Sequence, residues 1–173
     1  MENTVLKTIA QRRSIRSYKE ISLTTEQIDI LVKAALDAPT ARNEQSWHFS
    51  IVTNKDLMSE INAETCKIID REMDIFYNAP LAIFISGDIN NEYSAIDAGI
   101  AVENIAIAAE SIGLGSVILG LPGAAFKSEK ASEFEKKLNF PETHKFQIAI
   151  AVGVPAASKD AHEVLPDRIS YVK

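Results

Sequence analysis

The spacing of apolar residues predicts helices and strands that alternate along the whole chain. Apolar side chains recur at intervals of three and four residues over 4–11, which is typical of an amphipathic helix. The same spacing follows Thr24 and Gln27, whose types and separation match a capping box, so a second helix is predicted to begin there. Pro39 is expected to end that helix, because the residue before a proline disfavours helical backbone.

Two segments are apolar on nearly every side, and this pattern places them at the centre of the fold. Residues 81–85 have no polar face, which suits a strand covered by helices on both sides. The alanine-rich segment 94–112 is predicted to be a buried helix that stops at Gly113. Interleaved helices and strands predict a central sheet with helices on both faces. The other predicted elements are strands over 48–53, 115–119 and 146–152 and helices after Asn54 and over 127–138.

Composition and charge exclude several classes of protein. A chain of 173 residues, 46% hydrophobic and 24% charged, predicts one folded domain over residues 1–173. The net charge of -6 argues against nucleic acid and anionic membranes as partners. One cysteine and three widely separated histidines predict neither a disulfide nor a metal site. No secretory leader or membrane-length apolar run is visible, so a cytoplasmic location is expected.

A cluster of basic residues follows the first predicted helix. Residues 12–16 place three guanidinium groups, those of Arg12, Arg13 and Arg16, beside the hydroxyl of Ser14. Arginine pairs with phosphate oxygens two at a time and serine adds a short hydrogen bond, so the cluster is suited to a phosphate ester. The same residues are also typical of a solvated patch, because cations interact favourably with the C-terminal end of a helix.

A polar loop over residues 38–49 lies between a predicted helix and a predicted strand. Asn43 and Gln45 can each read the edge of a planar heterocycle through a donor–acceptor pair. Loops held by rigid elements commonly carry ligand contacts. An ordinary turn beside a packed Trp47 explains the same residues, so the pattern leaves both interpretations open.

The glycines at residues 113–120 do not form a dinucleotide-binding fingerprint. Their spacing differs from G-x-G-x-x-G, and they follow a helix rather than a strand. Gly120, at the end of a predicted strand, could still allow the backbone to approach a flat cofactor.

Taken together and in this order, these segments resemble the FMN-dependent nitroreductase family. The family motif R-R-S-x-R-x-F/Y matches residues 12–18, and A-P-S-x-x-N-x-Q-P-W matches residues 38–47. The helix motif D-A-G-I-A-x-E/Q-N matches residues 97–104 and is followed by G-L-G-S at 113–116. The family's G-x-P after its last strand matches 153–155. Each motif is weak alone, but their shared order spans nearly the whole chain.

The resemblance implies an α+β fold, a three-layer α/β/α sandwich with a central mixed sheet, which forms an intertwined homodimer. It implies that a C-terminal arm, about 160–173, packs on the partner subunit, and that FMN binds at the subunit interface. No catalytic side chain is implied, since flavin N5, beside the backbone of Gly120, carries the chemistry. The implied cofactor-binding residues are Arg12, Arg13, Ser14 and Arg16; Pro39, Thr40, Ala41, Asn43 and Gln45 from across the interface; Leu119 and Gly120; and Arg168.

The resemblance also implies an oxidoreductase activity. Hydride would pass from NADH or NADPH through the flavin to a small-molecule acceptor such as a nitroaromatic or a quinone, with ping-pong kinetics. The alternative is a flavin carrier without enzymatic activity. The sequence leaves open the acceptor, the choice of nicotinamide and the residues that shape the substrate pocket. Three departures from the family pattern stand out. Ser46 replaces a proline and is expected to loosen the turn, and Asp167 precedes Arg168, which leaves the role of the arm open. The segment between Asp88 and Asp97 is short where larger members insert helices, so a more open site is expected.

Overall fold

A computed structural model describes residues 3–173, and a four-stranded sheet forms its middle layer. The strands are β1 (Trp47–Val52), β2 (Leu81–Asp88), β3 (Gly115–Leu119) and β4 (His144–Gly153). Their order is β1-β2-β4-β3, and every neighbouring pair is antiparallel. The expectation of a mixed sheet is therefore wrong for these four strands. Strand β2 is buried on both faces because helices cover both sides of the sheet, and this burial does not require parallel neighbours.

Helices form the two outer layers. The α-helices in the described part of the chain are α1 (Thr4–Gln11), α2 (Thr25–Leu36), α3 (Lys55–Ile69), α4 (Ser94–Ser111) and α5 (Ala131–Lys137). Short 3-10 segments cover Ala41–Asn43, Leu121–Lys127 and Pro166–Arg168. The prediction of one helix over 127–138 is wrong. A 3-10 segment with Pro122 in its first turn ends at Lys127, and the α-helix α5 begins only at Ala131.

The alternation of side chains along β2 divides the hydrophobic core into two halves. Ile83 and Ile85 pack in the cluster that contains Leu31 of α2 and the buried side of α4. Phe84 points to the opposite face and packs in the cluster that contains α3 and Phe134 of α5. This arrangement confirms the three-layer sandwich.

Local capping signals act as the sequence predicts. The Thr24 hydroxyl accepts a hydrogen bond from the Gln27 amide, and the Gln27 side chain accepts one from the Thr24 amide, which completes the capping box of α2. Asn54 caps α3 through two backbone amides. Gly113 follows α4 with a φ of 76°, a conformation that glycine adopts without strain.

Apolar side chains remain exposed on the outer helices. Val5, Leu6 and Ile9 of α1 are 61%, 63% and 47% exposed, and Ile96 and Ile100 of α4 are also exposed. The arm beyond the last strand is exposed throughout residues 156–173. Within residues 3–173, none of the helices combines the length and the hydrophobicity needed to cross a lipid bilayer.

Candidate functional site

The basic cluster lies at the start of strand β3. The Ile15 amide donates to the carbonyl of Ser116 at 2.9 Å. A side chain on Gly115 would lie 3.0 Å from Ile15, so glycine allows this close approach. The Tyr18 hydroxyl lies 2.8 Å from the Ile15 carbonyl and 3.2 Å from that of Ala151. Burial raises the pKa of Tyr18, so its hydroxyl stays protonated and ties the segment to β4.

The three arginines of the cluster have different surroundings. Arg12 Nε lies 3.3 Å from Glu103 Oε1 of α4, and about a quarter of the Arg12 side chain is accessible. Arg16 is exposed. Arg13 instead turns back onto the end of α1, where Nη1 donates to the carbonyls of Ala10 at 2.6 Å and Arg12 at 2.8 Å. The structure therefore leaves Arg12 and Arg16 available at the surface, whereas Arg13 braces the backbone.

The loop Thr40–Gln45 has an unusual backbone conformation. Arg42, Asn43 and Gln45 have φ values of 54°, 56° and 47°. Asparagine tolerates this left-handed region, but arginine and glutamine rarely adopt it. Inside the loop, the Gln45 amide donates to Thr40 Oγ1 at 3.1 Å, and Gln45 Nε2 donates to Asn43 Oδ1 at 3.0 Å. The loop is therefore compact and strained.

Side chains at the start of α4 hold this loop from outside. The Ala41 amide donates to Asp97 Oδ1 at 3.1 Å, and the Asp97 residue is 1% exposed. Asn91 Nδ2 donates to Glu44 Oε2 at 2.8 Å and to Ser46 Oγ at 2.9 Å. The Ser46 hydroxyl therefore joins the turn to Asn91, through a hydrogen bond that a proline side chain could not accept.

Sequence reasoning missed the supporting role of Asp97 and Asn91. In the sequence, Asp97 is recognised only as part of the helix motif. A signal for its role was nevertheless present, because an acidic residue on a helix that is otherwise mostly apolar must find a hydrogen-bond donor if it is buried. No comparable signal marks Asn91, whose partners Glu44 and Ser46 lie more than forty residues away in the sequence.

The last two candidate regions lie apart from the loop. Leu119 is buried at the end of β3, while Gly120 is exposed and has open space where a side chain would stand. Arg168 is exposed in the C-terminal arm, and among residues 3–173 its one ion pair is with Asp167, at 3.6 Å. Pro39 directly precedes the strained loop. The structure thus places the basic cluster and Gly120 at the two ends of β3, and within residues 3–173 it gives Arg168 no hydrogen bond or ion pair with either.

This arrangement suits a phosphorylated planar ligand better than acid–base or metal chemistry. Two accessible guanidinium groups and a hydroxyl can bind phosphate, and the loop offers amide groups for a heterocycle. In the described part of the chain, no cluster of three or more histidine, cysteine or acidic side chains could hold a metal ion. Glu103 and Asp97, which contact the two regions, lie about 9 Å apart along the α4 axis.

Comparisons with known proteins agree with this geometry. The model of the nitroreductase family matches residues 9–154. A nitroreductase of Desulfitobacterium hafniense, solved with bound FMN, is 34% identical, with a TM-score of 0.93 and full coverage of both chains. A protein of Archaeoglobus fulgidus, provisionally named NADH dehydrogenase/NAD(P)H nitroreductase, is 33% identical over 97% of each chain. The NADPH-dependent FMN reductase of Bacillus subtilis is 31% identical over 98% of this chain and 73% of its own. The chain therefore belongs to the nitroreductase family.

Proposed function

We propose that this protein is an FMN-dependent NAD(P)H oxidoreductase that works as a homodimer. The observation that carries the proposal is the pair of accessible guanidinium groups, Arg12 and Arg16, held with Ser14 at the start of β3. The backbone of this segment is fixed by hydrogen bonds to β3 and β4. The bound FMN of the Desulfitobacterium relative supports the same cofactor here.

The residues present fit the phosphate of FMN. Arg12 and Arg16 supply charge-assisted donors, and the Ser14 hydroxyl adds a further donor. Arg13 would stabilise the backbone that carries Arg12 and Ser14, because its guanidinium donates to two carbonyls at the end of α1. Arg168, on the exposed arm, would add a second source of positive charge from the partner subunit. Arg12 would exchange its partly exposed ion pair with Glu103 for the phosphate, and such a pair contributes on the order of 1 kcal/mol.

The loop would contact the flavin ring of the other subunit. Asn43 and Gln45 carry amides that can donate to and accept from the ring edge, and Thr40 fixes Gln45 through its hydroxyl. Pro39 and Ala41 would line the same surface. Because hydrogen bonds within the loop and from Asp97 and Asn91 hold these residues in place before a ligand arrives, the loop would lose little further freedom on binding.

The backbone near Leu119 and Gly120 would leave the reactive edge of the cofactor open. Among residues 3–173, and apart from Gly120 and its two chain neighbours, no atom lies within 4 Å of the position that a side chain on Gly120 would occupy. When bound, FMN supplies hydride chemistry, taking electrons from NADH or NADPH and delivering them to an acceptor such as a nitroaromatic or a quinone. Donor and acceptor would use this one open space in turn, so we expect ping-pong kinetics.

The exposed apolar surface supports the homodimer. The apolar residues of α1 and the outer side of α4 lie uncovered, and Gly99 of α4 has open space beside it. Uncovered apolar surface of this kind is typical of protein interfaces. The C-terminal arm exposes Val164, Leu165 and Ile169, so we propose that it packs on the partner subunit.

A visible absorption spectrum tests the proposal most directly. We expect the purified protein to be yellow, or to become yellow with added FMN, and to bleach when NADH or NADPH is added without oxygen. A yellow protein that neither nicotinamide bleaches would favour a flavin carrier. A protein that does not bind FMN at any concentration would refute the proposal.

The substitution Arg12→Gln tests the phosphate site. We expect it to weaken FMN binding about tenfold or more, because a hydrogen-bonded charge contributes about 1.5–3 kcal/mol. Lys33→Gln is the matched control, since it removes one positive charge from the exposed side of α2. Quenching of flavin fluorescence measures both affinities. Equal FMN affinity in the two variants would argue against a phosphate contact by Arg12.

A further inference from the structure

We infer that Asp97 is a positioning residue for flavin binding. Its buried carboxylate accepts the hydrogen bond from Ala41 and so holds the loop Thr40–Gln45 in the conformation that presents Asn43 and Gln45 to the cofactor. This inference rests on the proposed function and adds a residue that itself contacts no cofactor. Asp97 would act entirely through the backbone of the loop.

Burying the Asp97 carboxylate costs solvation free energy, which interactions inside the protein must offset. The residue is 1% exposed, and Ala98 and Ala101 beside it on α4 are buried as well. A charged group removed from water needs hydrogen bonds or opposite charge to offset the loss of solvation. The first turn of α4 supplies a favourable dipole, and Ala41 supplies one hydrogen bond. Within residues 3–173, Oδ2 of Asp97 has no hydrogen-bond partner.

The strain in the loop explains why an external tie is needed. Arg42 and Gln45 have positive φ values without being glycine, and each such residue raises the energy of the loop. Conformations of this kind persist only when surrounding contacts impose them. Asn91 holds the C-terminal half of the loop through Glu44 and Ser46. Asp97 holds the N-terminal half, directly before the residues with positive φ.

A second polar residue of α4, Asn104, allows the positioning role of Asp97 to be distinguished from a general contribution to packing. Asn104, further along the same helix, donates from Nδ2 to the carbonyl of Ala34 in α2 at 3.2 Å. Both Asp97 and Asn104 therefore join α4 to the backbone of a neighbouring element. Of these two side chains, Asp97 is the one that contacts the loop Thr40–Gln45. If Asp97 served packing alone, removing either side chain would affect FMN binding in the same way.

The test compares FMN affinity and stability in three variants. Asp97→Ala removes the acceptor, and we expect it to weaken FMN binding about tenfold, because only a fraction of the molecules would then hold the loop in the conformation that binds the cofactor. Asp97→Asn keeps an oxygen that can accept from Ala41, so its affinity should return to within about threefold of the wild type, given the weaker neutral bond. Asn104→Ala is the matched control, which should lower the melting temperature without changing FMN affinity.

Two outcomes would overturn the inference. One is wild-type FMN affinity in Asp97→Ala, and the other is an equal loss of affinity in Asn104→Ala, which would indicate a general effect on the fold. In either case a wild-type protein that still binds FMN would leave the proposed function intact. A wild-type protein that binds no FMN would instead refute the proposed function and this inference with it.

Hydrogen exchange on the wild-type protein makes the test independent of how the variants fold. The Ala41 amide should exchange slowly in the cofactor-free protein, because it is bonded to a buried oxygen. Rapid exchange at Ala41, together with slow exchange in the core of α4, would show that the tie to Asp97 is not maintained and would overturn the inference.

Discussion

Two buried polar side chains, Tyr18 and Asp97, join backbone segments that carry candidate cofactor ligands. The Tyr18 hydroxyl connects the basic segment to β4, and the Asp97 carboxylate connects the polar loop to α4. Both bond to backbone atoms, so removing either polar side chain would affect the placement of neighbouring side chains. At the scale of single residues, the candidate site therefore depends on groups that would not themselves touch the ligand.

His144 predicts a pH-dependent part of the stability. Its Nδ1 lies 3.2 Å from the Ser86 hydroxyl, and burial lowers the pKa of His144 while Asp88 opposes and His48 reinforces the shift. The folded pKa therefore lies below the unfolded value of about 6.5. Neutral His144 therefore contributes to the free energy of unfolding above about pH 6.5. This contribution is lost as the pH falls from there through the folded pKa, because the unfolded chain binds more protons than the folded chain in that range.

Urea unfolding at a series of pH values checks this expectation. The free energy of unfolding of the wild type should fall below about pH 6.5, and His144→Gln should make that fall less steep. His162→Gln, in the exposed arm, is the control and should keep the wild-type slope. Equal slopes in all three proteins would contradict the expectation.

At the scale of elements, α4 organises the molecule. It packs on the sheet and on α2, and its side chains reach both the loop and the basic segment. Helix α2 precedes the loop in the chain and strand β1 follows it, so the loop is flanked by a helix and a strand. The candidate site thus lies where several rigid elements meet, which is where precise placement of ligands is easiest.

The capping box of α2 provides an element-scale prediction. Thr24→Ala should lower the free energy of unfolding by about 1 kcal/mol, because the Gln27 amide loses its acceptor. For a chain of this size that corresponds to a melting temperature lower by about 2–4 °C. The same substitution at the next residue, Thr25→Ala, removes no cap and should change stability by less than about 0.5 kcal/mol. Calorimetry that finds equal effects would argue against the capping box.

At the scale of the whole molecule, the proposed dimer predicts that a charge on α1 separates the subunits. Ile9 is 47% exposed on α1, and Ile9→Glu would bury a carboxylate in the proposed interface. We expect a monomer with greatly weakened FMN binding, because each site would need both chains. Ile68→Glu, on a residue of α3 with 49% exposure, should remain a dimer. Light scattering after size-exclusion chromatography measures the mass, and a wild-type monomer that binds FMN would contradict the prediction.

Much of the fold could be predicted because its signals are local. Helix α1, strand β3 and the capping box of α2 lie where hydrophobic spacing and residue type place them. Strands β2 and β4 are longer than predicted, because the length of a strand depends on pairing with its neighbour rather than on the local hydrophobic pattern. In the candidate site, Arg12, Arg16 and the loop were identified from motifs, whereas the inward turn of Arg13 was not, because it depends on backbone carbonyls of a folded helix end.

The sequence by itself determined the order and type of the elements, the family and the position of the candidate donors along the chain. These properties follow from periodicity, caps and motif spacing, which act over a few residues. Only the tertiary structure decided the strand order β1-β2-β4-β3, the antiparallel pairing and the hydrogen bond between Ala41 and Asp97. These features depend on backbone groups that are distant in sequence and meet only when the core has packed.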